Sequence, residues 1–283
     1  MWLPAQSVLA LVALVVIAAC APQSSLLRKA GQLGLQGRTI STEKFDLLTV
    51  WRVDTPRQGL LHVYLGSDGT PWQGRAPAKN PEGRAHLALE LMRRDPGPAV
   101  YLGRPCYPPS LNLDDCPPAR WTSGRYSRAT VAALDEALSQ LKEQYAAREL
   151  TLIGYSGGGV LALLLGAGRT DVVRVISVAA PLDVEAWSEH HGVLPLTESI
   201  NPARQPAPVR PLQHRHLHGA QDEIVPLETT QLFFTQHENS RLIVEEDFGH
   251  VCCWVRDWPA LLEAALQDQG AFQNSAPGAL VSD

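Results

Sequence analysis

The chain has 283 residues, of which 45% are hydrophobic and 19% charged, enough for one large domain with a sizeable core. A formal net charge of −5 and cations scattered along the chain give no support for nucleic-acid binding. Neither an internal repeat nor a second domain is visible.

Val8–Ala19 is an apolar stretch long enough for the hydrophobic part of a signal peptide and too short to span a bilayer. It ends Ile17-Ala18-Ala19-Cys20, which resembles the bacterial lipobox, in which small residues precede a lipidated cysteine that becomes the mature N-terminus. Met1–Gln6 departs from the usual signal pattern in lacking Lys and Arg. The resemblance implies a signal peptide over 1–19, lipidation of Cys20, and a lipid anchor in a bacterial cell envelope. Ala21 does not resemble an inner-membrane retention signal, which points to the outer membrane, facing the periplasm or the surface. Residues 20–38 read as a tether, 39–270 as the folded domain and 271–283 as a flexible tail.

Thr39–Asp54 reads as an antiparallel opening ribbon, and Leu60–Leu65 and Ala99–Leu102 as strands. Cys106 and Cys116 bracket a proline-rich loop that a disulfide would pin in an exported protein. Ser127 can cap a helix carrying Val131, Leu134, Leu138, Leu141 and Tyr145 at three-to-four spacing. Strands follow at Leu150–Tyr155 and Val172–Val178, separated by an apolar helix closed by Gly166 and Gly168. Further strands read at Arg215–Leu217 and Arg241–Glu245, with one helix between them and another after Trp258. Strand alternating with helix implies a parallel sheet.

Gly154-Tyr155-Ser156-Gly157-Gly158 frames Ser156 as G-x-S-x-G between a strand and a helix, a turn that lifts a serine hydroxyl into the open. A nucleophilic serine needs a base to take its proton and an acid to orient the base. Asp222, in the His218–Pro226 segment, and His250, in Phe248-Gly249-His250, follow it in the order Ser, Asp, His, each after a strand. Glu223, Asp247 and Asp183 are rival acids. An oxyanion hole needs two N–H donors. Gly157, at the helix N-terminus, supplies one. The Gly66-Ser67-Asp68-Gly69 loop supplies the other, from Asp68 or, nearly as well, from Ser67.

At these residues, over roughly 60 to 265, the chain resembles the α/β-hydrolase superfamily. The resemblance implies an α/β fold, a mostly parallel central sheet with helices on both faces and a short cap insertion. It also implies a site on the sheet's C-terminal edge that hydrolyses an ester or related acyl bond through an acyl-enzyme, with no cofactor and no metal. The partner would be a small-molecule or lipid acyl substrate. Gly-Ser-Asp-Gly departs from the His-Gly that many members carry at the oxyanion loop.

Leu182–Pro211 interrupts the strand–helix rhythm and reads as the cap, with Trp187 as a wall of the substrate pocket. His214, His216 and His218 alternate and so share one face of a strand. They could bind zinc, but read more simply as ordinary strand residues near an edge. The adjacent Cys252 and Cys253 read as buried free thiols, with redox gating of the histidine loop as an open alternative. Two other functions compete. Gly157–Ala162 can be read as G-x-G-x-x-A, a dinucleotide fingerprint, but that leaves Ser156, Asp222 and His250 without a role. A non-catalytic envelope lipoprotein using the fold as a binding scaffold is the other alternative, since a fold does not guarantee chemistry.

Overall fold

Runs of β-branched and large apolar residues form the strands, and amphipathic segments between them cover both faces of one sheet. The computed structural model describes residues 24–56, 59–109, 115–208, 210 and 212–267. In chain order the elements are α1 (Ser25–Gln32), β1 (Gln36–Ser41), β2 (Asp46–Trp51), β3 (Gly59–Leu65), a two-residue ribbon β4 (Trp72–Gln73) and β5 (Ala76–Pro77), α2 (Leu87–Arg94) and β6 (Ala99–Leu102). Then follow α3 (Arg128–Gln144), β7 (Ala147–Tyr155), α4 (Gly157–Gly168), β8 (Val172–Val178), α5 (Val184–His190), β9 (Gln213–Gly219), α6 (Gln231–Gln236), β10 (Ser240–Glu245) and α7 (Trp254–Leu266).

The main sheet has eight strands in the order β1-β2-β6-β3-β7-β8-β9-β10. β1 and β2 pair antiparallel, as do β2 and β6, whereas the other neighbours run parallel. Successive side chains point to opposite faces. Leu150 and Leu152 of β7 therefore enter a core under α3 and α4, while Ile153 and Tyr155 enter a second core under α1, α2 and α7. Each large apolar side chain buried in these layers contributes about 1.5–3 kcal/mol. This mostly parallel, doubly covered sheet is the expected architecture. Ser127 caps α3, accepting from Thr130 N–H, as its spacing implies. Among the described residues no helix is long and apolar enough to cross a membrane.

The expected tether is corrected over its described part. Ser24 caps α1, and Leu26 and Ala30 are buried in the core beside α2 and α7. The Glu82 carboxylate accepts from Ser24 Oγ, from Ser25 N–H at 2.6 Å and from Ser25 Oγ at 2.7 Å. A negative charge at a helix N-terminus is favourable, so the chain is already packed helix from Ser24, and β1 starts at Gln36. The helix expected after Trp258 starts earlier, at Trp254, and runs through Pro259. The signal segment, Cys20 and residues 271–283 lie outside the described residues.

Candidate active site

β7 ends in Gly154-Tyr155 and α4 begins at Gly157, so the chain reverses at Ser156. Ser156 has φ 52° and ψ −125°, a left-handed conformation that costs a non-glycine residue energy and is common at functional turns. The turn is fixed by Ser156 N–H donating to Val178 O and Gly159 N–H donating to Ser156 O, both at 2.8 Å. Its glycines are steric necessities. A Cβ on Gly154 would lie 2.2 Å from Gly158 O, and one on Gly158 would lie 2.2 Å from Leu65 O. A Cβ on Gly157 would lie 2.0 Å from Asp68 Oδ1 and one on Gly159 2.5 Å from Ala180 Cβ, so packing also accounts for the two glycines that fit a dinucleotide fingerprint.

β9 and β10 are parallel neighbours whose last pair is Gly219 with Glu245, so the loops carrying Asp222 and His250 leave one sheet edge side by side. Ala220 N–H donates to Glu245 O and Gln221 N–H to Phe248 O, each at 2.9 Å. His250 Nε2 lies 3.2 Å from Ser156 Oγ, and His250 Nδ1 lies 2.9 Å from Asp222 Oδ2 and 3.1 Å from Oδ1. Asp222 Oδ1 also accepts from Ile224 N–H at 3.0 Å and Val225 N–H at 2.8 Å, which fixes the carboxylate before it meets the imidazole. Its side chain is fully buried, while that of His250 is 14% exposed. The geometry brings Ser156, His250 and Asp222 into one chain of contacts. The rival Asp183 is turned elsewhere, accepting from Glu185 N–H, Ala186 N–H and Asn201 Nδ2.

Two supports have no motif to announce them. Tyr155 Oη donates to His250 O at 3.1 Å with its ring 5.2 Å from the imidazole, and Trp254 Nε1 donates to the same carbonyl at 3.0 Å. Together they hold the backbone of the histidine loop. Burial, with Asp222 nearby, raises the Tyr155 hydroxyl well above its usual range, so it stays a neutral donor.

Asp68 lies in the loop after β3, its carboxylate beside Gly157. Burial pushes its pKa up, but Arg104, Arg125 and the Tyr126 hydroxyl overcome this and bring it down to about 2. The carboxyl is therefore ionised at any ordinary pH. The Asp68 N–H has no hydrogen-bond partner among the described residues, and Gly157 N–H opens α4, where the first amides have no partner within the helix. Ser67 instead offers its Oγ to Gly69 N–H at 3.4 Å.

Trp187, on α5, stands against the acid's loop, its Nε1 donating to Ile224 O at 2.7 Å, and His191 Nε2 lies 2.9 Å from the same carbonyl. Cys106 and Cys116 are joined in a disulfide, although residues 110–114 between them lie outside the described residues. Cys252 and Cys253 are joined to one another, which corrects the expected pair of buried free thiols: in the short turn between His250 and α7, Cys252 is exposed and Cys253 is half-buried against the core beside α7. His214, His216 and His218 lie buried in β9, next to the edge strand. Among the described residues no group of three or more His, Cys, Asp or Glu could hold a metal ion.

No protein-family model and no curated protein matches the sequence. Solved structures do resemble it. An esterase from Pyrococcus furiosus matches at 14% identity and TM-score 0.60, over 84% of this chain and 92% of that one. An α/β serine hydrolase without lid from Xanthomonas campestris matches at 16% identity and TM-score 0.54, over 82% and 93%. A membrane phospholipase A described as a bacterial virulence factor matches at 14% identity and TM-score 0.54, over 86% and 89%. At such identities the likeness is one of fold, and the fold is that of the α/β hydrolases.

Proposed function

We propose that this chain, on its α/β-hydrolase fold, is a serine hydrolase that cleaves an ester or related acyl bond. Ser156 Oγ attacks the acyl carbon while His250 Nε2 takes its proton. Asp222 holds the imidazole through Nδ1 and stabilises the cation that forms. The N–H groups of Gly157 and Asp68 receive the developing oxyanion. His250 then returns the proton to the leaving group, and water, activated by the same imidazole, clears the acyl-enzyme. The observation that carries this is the shared imidazole: one histidine is within hydrogen-bond reach of the Ser156 hydroxyl at 3.2 Å and of the Asp222 carboxylate at 2.9 Å. The esterase and phospholipase neighbours are in keeping with a small-molecule or lipid acyl substrate.

The test is turnover of p-nitrophenyl esters of graded acyl length by the wild type and by Ser156→Ala. Hydrolysis by the wild type alone supports the assignment. A folded wild type inert across the panel would instead favour the non-catalytic scaffold. In the same panel, Trp187→Ala is expected to shift the preferred acyl length if α5 walls the pocket.

The location proposed is the bacterial envelope, by a lipid anchor on Cys20 at the end of the apolar Val8–Ala19 segment. Several acyl chains on one cysteine would moor the globule firmly, as one chain alone would not. Mass spectrometry of the mature N-terminus checks this: an acylated Cys20 is the expected finding, and an unmodified N-terminal residue after secretion rules the anchor out.

A further inference from the structure

The Asp68 side chain is held in a way that an amide donor alone does not require. Oδ1 accepts from Arg104 Nη1, and Oδ2 accepts from Arg125 Nη1 at 2.9 Å and from Tyr126 Oη at 2.5 Å. The carbonyl of the same residue accepts from Tyr107 Oη at 2.8 Å. Arg104 Nη2 donates to Arg125 O at 2.8 Å, tying together the two ends of the connection between β6 and α3. Both guanidinium groups are nearly inaccessible, at 3% and 6% side-chain exposure, and both stack on tyrosine or bond to backbone, so they hold fixed positions. The carboxylate fills the space beside the elbow: a Cβ on Gly157 would lie 2.0 Å from Asp68 Oδ1.

This arrangement poses an electrostatic problem and contains its answer. The negative oxygen of an acyl-transfer intermediate forms beside Gly157, where an unpaired carboxylate would oppose it. Two buried guanidinium groups facing one carboxylate neutralise it. The loop itself has neither regular structure nor the His-Gly of many relatives to stiffen it. What fixes the Asp68 peptide is its own side chain and carbonyl, gripped by both ends of the connection between β6 and α3, with the N–H left without a partner among the described residues.

We infer that Asp68, Arg104, Arg125 and Tyr107 form a clamp that positions the Asp68 N–H for the oxyanion, a role that presupposes the serine hydrolysis proposed above. Arg104, Arg125 and Tyr107 are positioning residues, since they act through Asp68 and do not touch substrate. Preorganised donors matter only where charge develops, so loosening the clamp weakens the transition state and leaves substrate binding alone.

The experiment compares the wild type with Asp68→Asn, Arg104→Lys and Tyr107→Phe for kcat and KM on a p-nitrophenyl ester. It also measures inhibition by a trifluoromethyl ketone, whose adduct with a serine carries an oxyanion. Asp68→Asn and Arg104→Lys are expected to lower kcat by about 10- to 100-fold with KM nearly unchanged, and to weaken the ketone by a similar factor. Tyr107→Phe removes a single hydroxyl, so it keeps the clamp testable should the charge variants fail to fold. It is expected to lower kcat and ketone affinity together by a smaller factor. Variants with wild-type kcat and ketone affinity, altered only in melting temperature, overturn the clamp while leaving serine hydrolysis standing. A wild type that neither turns over the ester nor binds the ketone removes the hydrolase assignment, and the clamp with it.

Discussion

His250 and His62 each hold an aspartate through Nδ1, at 2.9 Å from Asp222 and 2.7 Å from Asp95. Around His62 every further bond turns inward. Tyr64 Oη donates to Asp95 Oδ2 at 2.6 Å, Gly97 N–H donates to Oδ1 at 2.7 Å, and Trp258 Nε1 donates to Tyr64 Oη at 3.0 Å. That network staples β3, the end of α2 and α7. A third partial copy joins Ser177 Oγ to His216 Nδ1 at 2.7 Å between buried strands, with no carboxylate. Such pairs are ordinary ways to satisfy buried polar atoms. Ser156 differs because serine and aspartate share one imidazole, and because its hydroxyl crowns a left-handed turn at the C-terminal edge of the sheet, where sites of open α/β sheets lie.

Substitutions can break this contrast. The largest expected effect is a loss of about 10⁴-fold or more in kcat for Ser156→Ala or His250→Ala, with the melting temperature nearly unchanged. Ser177→Ala, read in the same assay, should leave kcat intact. Next comes the pair of aspartates. Asp222→Asn should cost up to about 10⁴-fold in kcat, because the amide no longer holds the imidazole in the required tautomer. Asp95→Asn should instead cost about 3 kcal/mol in urea denaturation, since it weakens the bonds that the buried carboxylate accepts from Tyr64 and Gly97 and shares with His62, and leave the kcat of the folded fraction alone. If Asp95→Asn impaired catalysis as severely as Asp222→Asn at equal folded fraction, the two pairs would not be the different devices described here.

The β9 histidines sharpen the contrast through pH. Burial pushes His214 down to about 4, with His237, Arg210 and Arg215 adding to it. His216 is pushed further down by burial and then by its histidine and arginine neighbours. His218 is lowered by burial although Asp222 opposes the shift. Among the described residues the Nε2 atoms of all three are buried with no hydrogen-bond partner. Their folded pKa values lie below the unfolded value of about 6.5, so on acidification the unfolded chain takes up protons first. Stability should therefore be full above about pH 6.5 and fall as pH drops, by up to about 1.4 kcal/mol per pH unit for each such histidine until its own folded pKa is reached. Urea midpoints from pH 7.5 to 4.5 check the slope, and a flat profile would show that these histidines charge without cost. The smallest effect is that of the Cys106–Cys116 disulfide. Replacing both residues with serine should cost about 2–3 kcal/mol, the closure entropy of a short loop.

Legibility in the sequence follows how local each constraint is. β8 and β6 were readable to the residue, because strands in the middle of the sheet are rich in β-branched and apolar residues, interrupted in β8 only by Arg174 and Ser177. Ser156 was readable because a strand-to-helix reversal demands glycine on both sides, and Asp222 and His250 because each follows a strand in the order the fold imposes. The Arg104, Tyr107, Arg125 and Tyr126 grip on Asp68 was not, since two loops far apart in sequence meet there at no fixed spacing. Tyr155 and Trp254 carry no motif as supports of the histidine loop, and their polar tips act only once folding brings His250 O to them. α1 was missed because one buried turn of Leu26 and Ala30 is too short a pattern to stand out, and its stabilising carboxylate, Glu82, lies far along the chain.

The most direct measurement is labelling with a fluorophosphonate, followed by peptide mass mapping of the adduct. Serine hydrolysis at Ser156 predicts a single phosphonylated residue, Ser156, in the wild type, labelling that slows sharply in His250→Ala, and none in Ser156→Ala. A folded wild-type protein that stays unlabelled, or one labelled at Ser177 or another serine, would contradict it.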